Sequence, residues 1–244
     1  MRTYGTIIYL FILCRYSASY DDEVNEETVL YYYGLEESER GLPLCAARQA
    51  CSALLRRYWR GAALVRLCRC GRAARRVRCD TPAPPRRRLA INNRAYLQFC
   101  QPVDSWPQCE FGELPLSVDA AGDHLDPDLL EKMHNENIHL SPPKIVFECR
   151  CSEPNYWKLN TTSADESMHS YQCSSLPLCD TDEFCGNVNY ELGSLYQSCL
   201  CPKGHMCVHN GGISRIHLSE LMYQGRGWRA HCQRIATDES YEDY

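Results

Sequence analysis

"KIVFECRC", Lys144 to Cys151, alternates apolar and polar residues, includes β-branched side chains and ends in a Cys-x-Cys at Cys149 and Cys151. That alternation is the signature of a half-buried strand. Residues i and i+2 of a strand point to one face, so the pair aims two sulfurs together and can staple two neighbouring segments. The device recurs: "AALVRLCRC" (Ala62 to Cys70) carries Cys68 and Cys70, and "ELGSLYQSCLC" (Glu191 to Cys201) carries Cys199 and Cys201. A chain that uses one staple three times is expected to be built of repeats.

The other cysteines partition around these staples. The first group is Cys45, Cys51, Cys68, Cys70, Cys79 and Cys100; the second is Cys109, Cys149, Cys151 and Cys173; the third is Cys179, Cys185, Cys199, Cys201, Cys207 and Cys232. Every group is even, as three disulfide-closed modules in series require. The joints match too. In "QFCQPVDSWPQCEF" and "YQCSSLPLCDTDEFC" one module's last Cys is followed within ten residues by the next module's first, and "GLPLC" (Gly41 to Cys45) and "SLPLC" (Ser175 to Cys179) open two modules alike. Joints this short predict a curved array with a concave side rather than freely moving beads.

The start of the chain indicates the compartment. Met1-Arg2, the apolar run "GTIIYLFILC" (Gly5 to Cys14) and the small residues Ser17 to Ser19 follow the order of a secretory signal peptide, and the run is too short to span a bilayer. Cleavage after Ser19 takes Cys14 away and leaves an even set of cysteines, as complete pairing in an oxidising compartment demands. No second apolar run reaches membrane-spanning length, so the expected product is secreted and extracellular, without membrane insertion. The organisation read from the sequence is a signal peptide over 1–19, an acidic leader over 20–42, cysteine-rich β modules over 43–103, 104–174 and 175–235, and an acidic tail over 236–244. Inside the leader, "VLYYYGL" offers an extra strand to the first module. "DPDLLEKMHNEN" (Asp126 to Asn137) has the acidic start and Leu/Met spacing of a short helix, and "TPAPPRRRL" reads as a loop standing out from the sheet. The fold class is small, disulfide-rich and all-β, with three tandem modules and little helix. Modules of about 60 to 70 residues build too little core alone, and each bridge contributes roughly 2–4 kcal/mol to such domains.

Chemistry is harder to find. Zinc sites use C-x₂₋₄-C spacing, whereas the recurring pair has one intervening residue; His205 and His209 beside Cys201 and Cys207 come nearest to a cluster. There is no C-x-x-C redox pair, G-x-S-x-G, H-E-x-x-H or Gly-rich phosphate loop, so neither a metal, a cofactor nor an enzymatic activity is expected. Between Arg56 and Arg94 there are thirteen Arg against one acid, Asp80. Such a region suits sulfated glycans or an acidic partner, or is a solvated face balancing the acidic leader; a nucleic-acid partner is not expected of a secreted chain. One N-glycosylation acceptor exists, Asn160 in "LNTTS".

"LPLCAARQACS", "CRC", "YLQFCQPVDSWPQC", "FECRC", "YQCSSLPLCDTDEFC" and "SCLCPKGHMC" occur in that order, with a last Cys at Cys232. The order resembles the Argos (giant-lens) family, secreted arthropod antagonists of epidermal growth factor receptor signalling, over roughly Val29 to Cys232. "CQPV" and "CLCPKGHMC" are its most specific parts. The resemblance implies three small β domains, similar to three-finger modules, that clamp and sequester the EGF-like module of a Spitz-type growth factor. Two departures stand out: the connection from the first staple to Cys100 is short and Arg-rich where the family has a long insert, and the stretch after Cys109 is extended. Scoloptoxin-like proteins of centipede venom share a related cysteine plan, and a toxin or channel modulator is the alternative reading. No ligand-contact residue carries over. By analogy between the units, the first sulfur of each staple pairs backward and the second forward. That gives Cys45–Cys68, Cys70–Cys100, Cys109–Cys149, Cys151–Cys173, Cys179–Cys199 and Cys201–Cys232, with Cys51–Cys79 and Cys185–Cys207 closing the remainder. Four cysteines allow three connectivities and six allow fifteen, so peptide mapping of the intact protein is the check. A Cys109–Cys151 peptide contradicts this pairing.

Overall fold

The computed structural model describes residues 28–33, 38–57, 60–71, 77–119, 125, 127–136, 138, 141–152, 155–165, 167–190, 193–209, 216–220 and 223–235, those from 127 to 129 and from 216 to 225 as backbone only. The segment over 1–19 with Cys14, most of the acidic leader, Arg72, Arg75, Arg76 and the tail over 236–244 lie outside the described residues. Among the described residues, fourteen strands form three sheets, with one α-helix and eight disulfides.

The first sheet holds β1 (Val29–Tyr32), β2 (Ala50–Leu55), β3 (Ala63–Arg66), β4 (Arg88–Ala90) and β5 (Ala95–Phe99), in the order β1-β3-β2-β5-β4. The leader strand β1 adds in parallel to β3, with Val29 opposite Ala63 and Tyr32 opposite Arg66; the remaining neighbours are antiparallel. All six residues of β2, "ACSALL", are buried, which its central place and covered faces explain. Its one hydroxyl is satisfied by Gln98, whose Nε2 donates to Ser52 Oγ at 2.8 Å. The other end of that amide, Gln98 Oε1, accepts the Ala83 N–H. Here the structure corrects the sequence reading of "TPAPPRRRL". The segment does not stand out: Ala83 is buried against the sheet and the Arg86 carbonyl accepts from Val103 N–H at 2.8 Å. A buried side-chain amide holds it down, and local Pro content carries no sign of that.

The second sheet holds β6 (Leu116–Asp119), β7 (Lys144–Phe147), β8 (Asn155–Thr162) and β9 (Met168–Ser175), ordered β7-β6-β9-β8 and antiparallel throughout. The insert before β7 supplies helix α1 (Pro127–Asn135), close to the span read from its acidic start. In the loop joining β8 and β9, Asp165 Oδ1 accepts from the Ser163 hydroxyl at 2.6 Å, the Ser167 hydroxyl at 2.9 Å and the Ser167 N–H at 3.2 Å. The third sheet holds β10 (Phe184–Asn189), β11 (Leu195–Gln197), β12 (His205–Val208), β13 (Ile216–Glu220) and β14 (Tyr223–Arg234). The long β14 is its spine, pairing β10 along one edge and β12 and β13 along the other. Gly186 at the start of this sheet is required by proximity, since a Cβ there would collide with the Tyr196 carbonyl of β11.

The cores are unequal. One apolar cluster takes Ala53, Leu55, Val65, Leu97 and Phe99 from the first sheet, Leu116, Val118, Ile145 and Phe147 from the second, and Leu130 from α1. The joint between them contributes Val103 and Trp106 to the same cluster. Ring contacts run from Phe99 to Trp106 (centroids 4.8 Å) and Phe147 (5.5 Å), and from Phe147 to Trp157 (5.3 Å), in the edge-to-face arrangement aromatic quadrupoles favour. The first two modules therefore share a single core. The third has a small one made largely of sulfur: Cys179, Cys185, Cys199 and Cys232 with Val188 and Ala230. It meets the first through Leu195 N–H, which donates to Asn93 Oδ1 at 3.0 Å.

One buried charge belongs to this frame. Arg66 is 1% exposed and pairs with Glu39 at 2.5 Å; burial pulls its guanidinium pKa down, and Glu39 opposes the shift.

Truncating Phe147→Ala removes the ring common to both sheets and is expected to cost about 3–5 kcal/mol. Hydrogen exchange should show both sheets loosening together while the third keeps its protection; a loss confined to the second sheet contradicts a shared core. The three hydrogen bonds favour the Asp165 carboxylate and hold its pKa at about 2, below the ordinary 3.8. A depressed acid contributes order that is complete above its unfolded pKa and lost as pH falls through the folded one. The β8–β9 loop should therefore stay ordered at pH 4 and loosen as pH falls toward 2, and carboxyl NMR titration gives the midpoint.

Candidate binding surface

Each module opens with Pro-x-Cys: Pro43 to Cys45, Pro107 to Cys109 and Pro177 to Cys179. The middle residue of each Cys-x-Cys lies alongside this opening in an isolated parallel bridge, Arg69 with Leu44, Arg150 with Gln108 and Leu200 with Leu178. Two backbone hydrogen bonds make each bridge. The opening Cys donates to the middle residue's carbonyl (Cys45 to Arg69, Cys109 to Arg150 and Cys179 to Leu200, each 2.9 Å). That residue's N–H returns to the proline carbonyl (Arg69 to Pro43 2.8 Å, Arg150 to Pro107 2.9 Å, Leu200 to Pro177 2.8 Å). Pro has no N–H of its own to leave unpaired, which suits it to the end of such a clasp. The staples sit just past the strands rather than on them, since β3 ends at Arg66, β7 at Phe147 and β11 at Gln197. The clasp, not a longer strand, holds the two sulfurs in place.

Beyond the opening Cys the chain makes the same turn three times. Its third residue is left-handed: Arg48 at φ 55°, Gly112 at 86° and Asp182 at 62°. The fourth residue's side chain reaches back to accept the first residue's N–H: Ala46 to Gln49 Oε1 at 2.7 Å, Glu110 to Glu113 Oε2 at 2.8 Å, Asp180 to Glu183 Oε2 at 2.6 Å. Glycine adopts this conformation freely and Asp tolerates it, whereas for Arg it costs about 1–2 kcal/mol.

Contacts with the second module offset that cost at Arg48. Phe147 N–H donates to the Arg48 carbonyl at 3.2 Å, Arg48 Nη1 donates to the Glu148 carbonyl, and Gln49 makes an antiparallel bridge to Val146. The first turn is thus docked on the edge strand β7. A shallow cavity of about 270 Å³ remains beside it, lined by Arg48, Gln49, Phe99, Cys100 and Trp106, with no acid–base pair facing it. The second turn faces solvent with Phe111 and Leu114 exposed. The third is exposed but tied to its own sheet, Asp182 N–H donating to the Cys232 carbonyl at 3.0 Å and the Glu183 carbonyl accepting from Cys232 N–H at 2.9 Å. Leu44 and Leu178 are exposed at equivalent places beside the first and third turns.

The sulfurs are joined as Cys45–Cys68, Cys51–Cys79, Cys70–Cys100, Cys109–Cys149, Cys151–Cys173, Cys179–Cys199, Cys185–Cys207 and Cys201–Cys232. Sulfurs of neighbouring bridges come close, Cys70 to Cys79 at 3.4 Å, but a disulfide offers no thiolate to a metal. His205 and His209 do not converge with them: His205 Nδ1 lies 3.3 Å from the Lys203 carbonyl and His209 stacks on Trp228, centroids 4.7 Å apart. Asn160 is the unpaired residue of a bulge in β8, between Leu159 opposite Tyr171 and Thr161 opposite Ser170, and is exposed. Much of the basic region is tied down. Arg57 donates to the Tyr31 hydroxyl at 3.1 Å and the Gly61 carbonyl at 3.0 Å, Arg66 pairs with Glu39, and Arg78 forks onto Asp80 at 2.8 and 3.1 Å. Arg56 and Arg88 flank the ring of Tyr96, at 5.4 and 5.0 Å from its centroid, so two cations share one fixed place on the surface.

The repeated turn was within reach of the sequence. The words "LPLC" flag two openings; the middle one, "WPQC", shares only Pro and Cys. The Gln or Glu four residues past each opening Cys completes a Pro-x-Cys-x₃-Gln/Glu pattern at Gln49, Glu113 and Glu183.

No protein-family model matches the chain, and no curated protein matches it. Among solved structures it is similar to the crystal structure of unliganded Argos, with a TM-score of 0.47 at 19% identity, covering 86% of this chain and 99% of that one.

Removing the turn acceptors, by Gln49→Ala, Glu113→Ala or Glu183→Ala, should each lower stability by about 1 kcal/mol in denaturant titration. The Gln49 change should cost most, because that turn also carries the junction to β7; equal effects at all three contradict the docked role of the first turn.

Proposed function

We propose that this protein is a secreted inhibitor of epidermal growth factor receptor signalling that binds and sequesters an EGF-like, Spitz-type growth factor. The observation that carries the reading is the threefold turn-and-clasp unit, docked on a neighbouring sheet in its first copy and open, with Phe111 and Leu114 exposed, in its second. The "CQPV" and "CLCPKGHMC" resemblance supports it from the sequence. Eight disulfides suit an extracellular protein, and among the described residues no helix is long and apolar enough to cross a membrane. The protein acts by binding rather than catalysis: its surface offers docking elements on a rigid frame.

Two subsidiary roles belong to this reading. The paired cations of Arg56 and Arg88 on Tyr96 give the Arg56–Arg94 region a fixed place to hold sulfated glycans. Asn160 is a glycan acceptor whose exposed bulge leaves room for the sugar without breaking the β8–β9 ladder.

The deciding experiment mixes the purified protein with an EGF-like ligand domain and measures binding and receptor phosphorylation. Binding to the ligand, with phosphorylation lost near stoichiometry and no binding to the receptor ectodomain, is the expected result. Binding to the receptor alone overturns sequestration. An effect on membrane currents without ligand binding favours the scoloptoxin-like alternative.

A further inference from the structure

The first turn shows how this unit docks. Its left-handed residue offers a carbonyl to an N–H on the edge strand of a neighbouring sheet, and the residue that follows pairs with that strand. The second turn repeats the backbone of the first, with Gly112 in place of Arg48 and the Glu113 carboxylate in place of the Gln49 amide. Among the described residues, no N–H is bonded to the Gly112 carbonyl. At its tip stands Phe111, fully exposed, with Leu114 exposed three residues on.

The repeats supply an internal control on that phenylalanine. The equivalent tip positions are Ala47 in the first turn and Thr181 in the third, so the turn itself does not call for a ring. An aromatic side chain at a rigid, hydrogen-bonded tip costs little conformational entropy when it is captured, and aromatic anchors of this kind dominate binding energy at interfaces. The exposed carboxylates of Glu110 and Glu113 flank it, so a complementary partner carries cations around an apolar depression.

We infer that the second turn, Glu110 to Glu113, docks on the free strand edge of the bound growth-factor module in the way the first turn docks on β7, with Phe111 as its anchor. The inference rests on the proposed sequestration and names the surface that performs it. The partner site this implies is a free strand edge with an N–H for the Gly112 carbonyl, an apolar recess beside it for Phe111 and a basic rim facing Glu110.

The test uses the full-length protein and a recombinant Spitz-type EGF-like domain as the probe. Phe111→Ala should weaken binding about 30-fold, the size expected of an aromatic hot spot, with an unchanged melting temperature because the ring touches nothing in the free protein. Thr181→Ala, at the same position of the third turn, should leave affinity within about twofold. If the unaltered protein binds and Phe111→Ala binds equally well, the anchor is wrong and sequestration stands. If the unaltered protein does not bind the domain, both fall.

Discussion

Everything in this molecule hangs on a clasp of two backbone hydrogen bonds, made where the middle residue of a Cys-x-Cys lies beside a Pro-x-Cys. The bridge in each module is only one residue long, and too short to persist in water unaided. A disulfide from the opening Cys to the first sulfur of the staple brackets it, as in Cys45–Cys68, Cys109–Cys149 and Cys179–Cys199. The second sulfur then ties the clasp to the module's last strand or its end, at Cys100, Cys173 or Cys232. A short chain length thus fixes an opening, a staple and a closing segment at one point, and the capped turn projects from it.

The three copies of this device stand on different foundations. In the first two, Phe99, Trp106 and Phe147 knit two sheets into one apolar body, so the bridges there reinforce a core of ordinary kind. The third has little apolar carbon at its centre, and its sulfurs are the core. Stability should be distributed accordingly, with the third sheet most sensitive to reduction. The docked first turn follows from the same asymmetry: a shared core brings it against β7, and that contact holds Arg48 in a conformation Arg otherwise avoids.

The sequence made the repeat legible because cysteine spacing is a covalent constraint written directly into the chain. The leader strand β1 followed from a short apolar patch, and the helix α1 and the all-β class from residue spacing. What escaped was tertiary. Nothing local says that Trp106, in a joint read as a connector, enters the core of both neighbours. Likewise the "TPAPPRRRL" segment is held by Gln98, fifteen residues from the N–H it binds. The turns were missed for a different reason, since their signal lies in comparing three modules position by position rather than in any one of them. The arginines show the limit of composition: thirteen cations read as one basic region, yet Arg57 and Arg66 have partners in the leader and Arg78 has one in the module.

On the proposed sequestration, the clasps are scaffold and the open second turn is the working surface. Hydrogen–deuterium exchange of the free protein and of its complex with an EGF-like ligand domain tests this most directly. New protection is expected over 108–114, with no change over 46–49, where the turn is already docked on β7, or over 180–183, where it is tied to β14. Protection confined to the first turn, or to the Arg56–Arg94 face, would contradict it.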